Sequence, residues 1–149
     1  MDCPNFKAGG RRDHLVDALS AAGVTPSRPI YVPGEDALPL LLWLCARGFG
    51  HVIHVPSHAH PTVGANGVLI IPRTVARQAL QGVLAACDHM APGGLLVVQM
   101  AAARDVHEHQ ALGDAFDNAG LCTLTSIPVS TGREIHVARR AAADLKKAA

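Results

Sequence analysis

Residues 30–44 read IYVPGEDALPLLLWL. A short apolar run (Ile30, Tyr31, Val32) ends at Pro33-Gly34, two acids follow (Glu35, Asp36), and an apolar segment then runs on to Arg47-Gly48. Strand, tight turn and helix in that order form the opening unit of an open α/β sheet of the nucleotide-binding kind. Both acids fall in the first turn of the helix, where they complement its dipole. Pro39 is tolerated nearby because the first N–H groups of a helix lack intrahelical partners. The turn lacks most of the glycines of a cofactor loop, so the stretch specifies an architecture and not an activity.

Working outward, the same alternation of element types continues. Before this unit, Leu15, Val16, Leu19 and Ala22 recur at helical spacing over 12–22, and Gly23 stops them. After it, His51–Val55 reads as a second strand, 57–67 (SHAHPTVGANG) as a turn-rich loop, and Val68–Ile71 as a third strand closed by Pro72. Thr74–His89 reads as a long helix with Thr74 as its N-cap, and Gly93–Met100 as a buried central strand. Asp105–Asn118 reads as a helix, and Leu121–Val129 and Glu134–Ala138 as a hairpin about Ser130-Thr131-Gly132. Residues 1–10 form a loose lead-in and 139–149 an alanine- and lysine-rich helical tail.

The chain of 149 residues suits one domain, 1–149, with one core. Hydrophobic residues make up 49% and charged ones 17%, which excludes a disordered chain. With three Phe, one Trp and one Tyr, the core must be aliphatic, as in helix-covered parallel sheets. A formal charge of +1 argues against nucleic acid and membrane surfaces as partners. No apolar h-region opens the sequence and no run is long enough to span a bilayer. The four cysteines are widely spaced without a CxxC, as expected of reduced thiols in a cytoplasmic protein. Cys45, Cys87 and Cys122 are expected in the core.

The second half carries a pattern with a known counterpart. VLIIP leads into a helix, then into MAPGGL at 90–95; a later helix ends in Ala119-Gly120-Leu121, and the chain closes with REIHVARR. Over about residues 30–140 this resembles class I S-adenosylmethionine-dependent methyltransferases. In that family a PGG-L turn enters the fifth strand, an AGF turn the sixth, and the last two strands form an antiparallel hairpin. The resemblance implies a shortened three-layer α/β Rossmann-like sheet of about six strands, mostly parallel, with helices on both faces.

It also implies a degenerate cofactor site. The family's first loop reads acidic-x-Gly-x-Gly-x-Gly; here Gly34 matches the first glycine, while Val32, Asp36 and Leu38 stand at the acidic position and at the second and third glycines. A side chain at Asp36 crowds the cofactor, and two carboxylates at the helix start oppose its carboxylate end. Pro56-Ser57 stand where the family ends its second strand with an acid for the ribose. The strand and helix that help frame the adenine have no counterpart in the loop 57–67. Pro72 occupies a position where the family often has a catalytic polar residue.

Two groups of residues are candidate sites. Gly34, Glu35 and Asp36, with Pro56, Ser57 and Arg73, would line a remnant S-adenosylmethionine or small-molecule site at the carboxyl edge of the sheet. The alternative for the acids is helix capping, and for Arg73 a solvated or locally paired guanidinium. His54, His58 and His60 would meet at the end of the second strand and hold zinc or another divalent metal, the alternative being a polar loop. His107, Glu108 and His109 read as surface chemistry. The sequence thus supports a non-catalytic binding or regulatory module that associates with a protein partner or with itself. The alternatives are an active methyltransferase with a truncated cofactor site, or a metal-binding protein.

Overall fold

The computed structural model describes residues 10–56, 59, 61–130 and 132–142. Helix α1 spans Gly10–Ala21, and strand β1, Ile30–Pro33, follows a short linker. A 3-10 turn, Glu35–Ala37, leads into α2, Leu38–Ala46. Strands β2 (Val52–Val55) and β3 (Val68–Val75) are separated by the long loop, and α3 (Leu80–Ala86) follows. Strand β4 (Leu95–Ala101), α4 (Val106–Asn118), β5 (Leu121–Ser130) and β6 (Arg133–Arg140) complete the order.

The six strands form one sheet in the order β2-β1-β3-β4-β6-β5. β1 to β4 are mutually parallel where they pair, and β6 runs antiparallel to both β4 and β5. This is the expected six-stranded sheet with its terminal hairpin. Alternation along the central strands divides the core between two faces. Ile30, Val32, Ile70 and Val97 pack with Leu19 of α1 and Leu44 of α2 on one face. Leu69, Leu96, Val98 and Met100 pack with Leu84 of α3 and Phe116 of α4 on the other. Central strands buried on both faces explain why GLLVVQM reads as a continuous apolar run.

The entry to β4 is tied to the end of β6. Gly93 donates its N–H to the Arg140 carbonyl (3.0 Å), and Arg140 donates its own to the Gly94 carbonyl (2.8 Å). A β-carbon on Gly94 would meet Met90 Cγ at 2.5 Å, so the second glycine of this turn serves close packing. At the other end of the segment, Asp105 caps α4: its carboxylate accepts from the Glu108 N–H at 2.9 Å.

Several expectations are corrected. β3 does not stop before Pro72; it runs to Val75, with a bulge between Ile70 and Thr74 that re-pairs Thr74 with Gln99 of β4. Thr74 is therefore a strand residue and not an N-cap, and Val75 is buried in the sheet. The long helix shrinks to two 3-10 turns, Arg77–Ala79 and Cys87–His89, around the seven residues of α3, whose N-terminus has no side-chain cap. β2 starts at Val52, one residue after His51. Arg139 and Arg140 belong to β6, so no helix begins at 139, and 143–149 lie outside the described residues. Cys87 is buried as expected, but Cys45 and Cys122 are exposed. No helix among the described residues is long and apolar enough to cross a membrane.

Candidate functional site

The carboxyl ends of β1, β3 and β4 share one rim of the sheet, the edge at which open α/β sheets receive ligands. At the end of β1 the chain turns through Gly34, whose φ of 97° and ψ of 169° lie in a region essentially closed to other residues. Two hydrogen bonds hold the turn against β2. The Gly34 N–H donates to the Val55 carbonyl at 3.0 Å, and its carbonyl accepts from His54 Nε2 at 2.7 Å. The parallel register places His54 beside Val32, two residues before that carbonyl.

Glu35 and Asp36 follow, both exposed, with Ala37 buried beneath them. Across the rim, the bulge in β3 lifts Ile71-Pro72-Arg73 out of the ladder with β4. Gly34, Glu35, Asp36 and Arg73 line one cavity of about 520 Å³, walled by Gly82 and Val83 of α3. Its volume falls within the roughly 300–1,000 Å³ of small-molecule sites. The structure thus brings together four of the six residues expected at the ligand edge. Pro56 follows β2 and accepts from the Ala59 N–H at 3.0 Å, and it does not line the cavity. Ser57 lies outside the described residues.

Further along the rim, charges pair among themselves. Arg104 binds Glu108 through Nη2 (2.6 Å) and Nε (2.8 Å), and its backbone N–H donates to the same carboxylate at 2.8 Å. These bonds from Arg104 push the Glu108 carboxyl down to about 2. Arg77 approaches Glu108 at 3.5 Å and donates to the Ala101 carbonyl at 3.4 Å. Glu108, read from sequence as surface chemistry, is the hub that fastens the start of α4 to the rim.

A second polar group lies under α4. His136 of β6 is buried, with its ring 6.1 Å from that of Phe116. Its Nδ1 shares a 2.8 Å hydrogen bond with the Ser126 hydroxyl. Its Nε2 lies 3.4 Å from the Glu134 carboxylate, although the alignment completes no hydrogen bond. Burial lowers the affinity of this imidazole for a proton, and the attraction of Glu134 only partly offsets it. Sequence reasoning missed this pair because Ser126 and His136 meet only through the hairpin register.

The metal reading finds no support. His54 spends Nε2 on the Gly34 carbonyl, and His58 and His60 lie outside the described residues. Among the described residues no group of three His, Cys, Asp or Glu side chains is placed to hold a metal.

No family model and no curated protein matches the chain. Solved structures do. An S-adenosylmethionine-dependent methyltransferase from Aquifex aeolicus aligns with 94% of this chain and 99% of its own, at a TM-score of 0.57 and 12% identity. The antibiotic-resistance methyltransferase Kmr aligns with 84% of this chain and 92% of its own (TM-score 0.55, 14% identity). A ribosomal protein L11 methylase from Lactobacillus delbrueckii subsp. bulgaricus aligns with 83% and 77% (TM-score 0.55, 6% identity). The chain has the class I methyltransferase fold. At these identities the likeness is one of fold alone. In this version of the methyltransferase fold β2 is an edge strand, and among the described residues no helix or strand lies between β2 and β3.

Proposed function

We propose that this chain is a methyltransferase-fold binding module that keeps a small-molecule cavity at the carboxyl edge of its sheet and does not transfer methyl groups. The observation that carries this reading is the pair Glu35 and Asp36 on the wall of that cavity, next to Gly34. S-adenosylmethionine would bring its amino-acid carboxylate to this helix start, and two carboxylates there repel a third. The shortened rim adds to the argument. Pro56 offers no acid to ribose hydroxyls, and among the described residues the sheet ends at β2. The module works in the cytoplasm, alongside a protein partner or a second copy of itself.

Calorimetric titration with S-adenosylmethionine and S-adenosylhomocysteine tests this. Absence of saturable heat at two temperatures, which excludes a vanishing enthalpy, is expected for the native chain. The double variant Glu35→Gln/Asp36→Asn is expected to gain measurable binding if the acids are what exclude the cofactor. Saturable micromolar binding by the native chain overturns the proposal. It would favour the second reading, an active methyltransferase with a truncated site, for which the open cavity of about 520 Å³ beside the Gly34 turn is the supporting observation. In that case Gly34→Trp abolishes binding.

A further inference from the structure

We propose a second ligand site, on the opposite face of the sheet, for a small monocarboxylate with an apolar body. The bulge in β3 has two sides. One walls the cavity beside Gly34; the other, with α1 and α2, lines a second cavity of about 280 Å³, and Ile71, Pro72, Arg73 and Thr74 border both. Leu15 of α1, Leu40 of α2, and Ile70, Val97 and Ile135 of three adjacent strands give it an aliphatic lining. Its size is just below the usual range of ligand pockets, so it selects a compact hydrocarbon group.

Among the described residues its polar side chains are Arg73, Thr74 and Gln99, with no carboxylate. Arg73 is the cation among them, and a guanidinium at an apolar pocket matches a carboxylate. Gln99 supplies the second observation. It sits on β4 opposite Thr74 and Ile135, and its side-chain Nε2 is buried with no hydrogen-bond partner. Buried donors are nearly always paired, and a turn of the Gln99 amide toward the cavity would let an acceptor oxygen held there pair this one. Apolar walls, a cation and an orphan donor, with no acid among the described lining residues, together specify the chemistry of the ligand. The cavity beside Gly34 does not meet that specification, because Glu35 and Asp36 line it. The site does not depend on whether the chain binds S-adenosylmethionine.

Amide-detected NMR titration of the full chain with benzoate and hexanoate, and with benzyl alcohol and hexanol as neutral analogues, tests the assignment. Expected are saturable shifts at the amides of residues 70–74 and 97–99, and a preference of at least tenfold for each acid over its alcohol. Gln99→Met and Arg73→Gln are each expected to weaken binding by tenfold or more. Thermal unfolding verifies that Gln99→Met is folded, and Arg73 is exposed, so its variant keeps the core intact. Any of four results overturns the proposal: no saturable shift, equal affinity for acid and alcohol, unchanged affinity in Arg73→Gln, or shifts confined to Gly34, Gly82 and their neighbours.

Discussion

Gly34→Ala isolates the cost of the turn on which the ligand edge is built. A β-carbon at Gly34 would meet nothing within 4 Å, so the substitution tests backbone conformation with no steric confusion. At φ 97° and ψ 169° a non-glycine residue costs about 1–3 kcal/mol. Alanine recovers about 0.4–1 kcal/mol by restricting the unfolded chain. Mid-range values of these two terms leave a net loss of about 1.3 kcal/mol, which in a domain of this length lowers Tm by about 3–5 °C. The His54–Gly34 and Gly34–Val55 hydrogen bonds oppose relaxation to an easier conformation, so the strain stays in the native state. Urea unfolding at pH 7.5 measures it, with Gly50→Ala as the matched control. Gly50 is also open to a β-carbon and does not adopt positive φ. A Gly34→Ala variant as stable as both the wild type and that control would refute the claim that this backbone requires glycine.

Three further outcomes follow from particular contacts. Asp105→Ala removes the acceptor for the Glu108 N–H at the start of α4 and should cost about 0.5–2 kcal/mol in chemical denaturation. Gly113→Ala, in the interior of α4 with open space at the β-carbon, should stabilise by about 0.5–1 kcal/mol in the same assay. The third concerns pH. Burial lowers the His136 pKa in the folded protein, so the unfolded chain binds the proton more readily and stability falls as pH drops below the ordinary histidine value of 6.5. Urea midpoints measured from pH 7.5 to 5 should show that decline, and His136→Asn should flatten it; an equal decline in the variant would exclude His136 as its source.

How much of this was legible depends on whether the deciding interaction is local. The sheet was, because GLLVVQM and REIHVARR carry the burial pattern of a central strand and of its antiparallel neighbour. Asp105 as a helix start was, because a cap bonds within its own turn. The border of β3 and α3 was not. Pro72 reads as the end of a strand, yet in a bulge its missing N–H leaves no ladder position unfilled, and Thr74 then rejoins the sheet through Gln99. The uniformly apolar α2 also concealed its orientation. Leu40, Trp43 and Leu44 turn inward, whereas Leu38 and Leu42 are 60% and 58% exposed and Cys45 faces out with them. A segment without polar residues has no pattern from which to read a face.

The site divides along the same line. Gly34, Glu35 and Asp36 are consecutive and stand at the end of a recognisable strand, so their place at the ligand edge follows from the turn. His54 shows what a linear reading lacks. Counted along the sequence it belongs with His58 and His60, and three imidazoles at short spacing evoke a metal. Counted across the sheet it belongs with Val32, and its Nε2 reaches the Gly34 carbonyl twenty residues away. An Nε2 that donates to a carbonyl carries its proton and offers no lone pair of its own. The register of one parallel strand pair thus makes His54 a fastening of the turn beside the cavity. The same kind of registration brings Arg73 and Gln99 to one pocket across the β3 bulge, and there too the chemistry lies in neighbours that the sequence keeps apart.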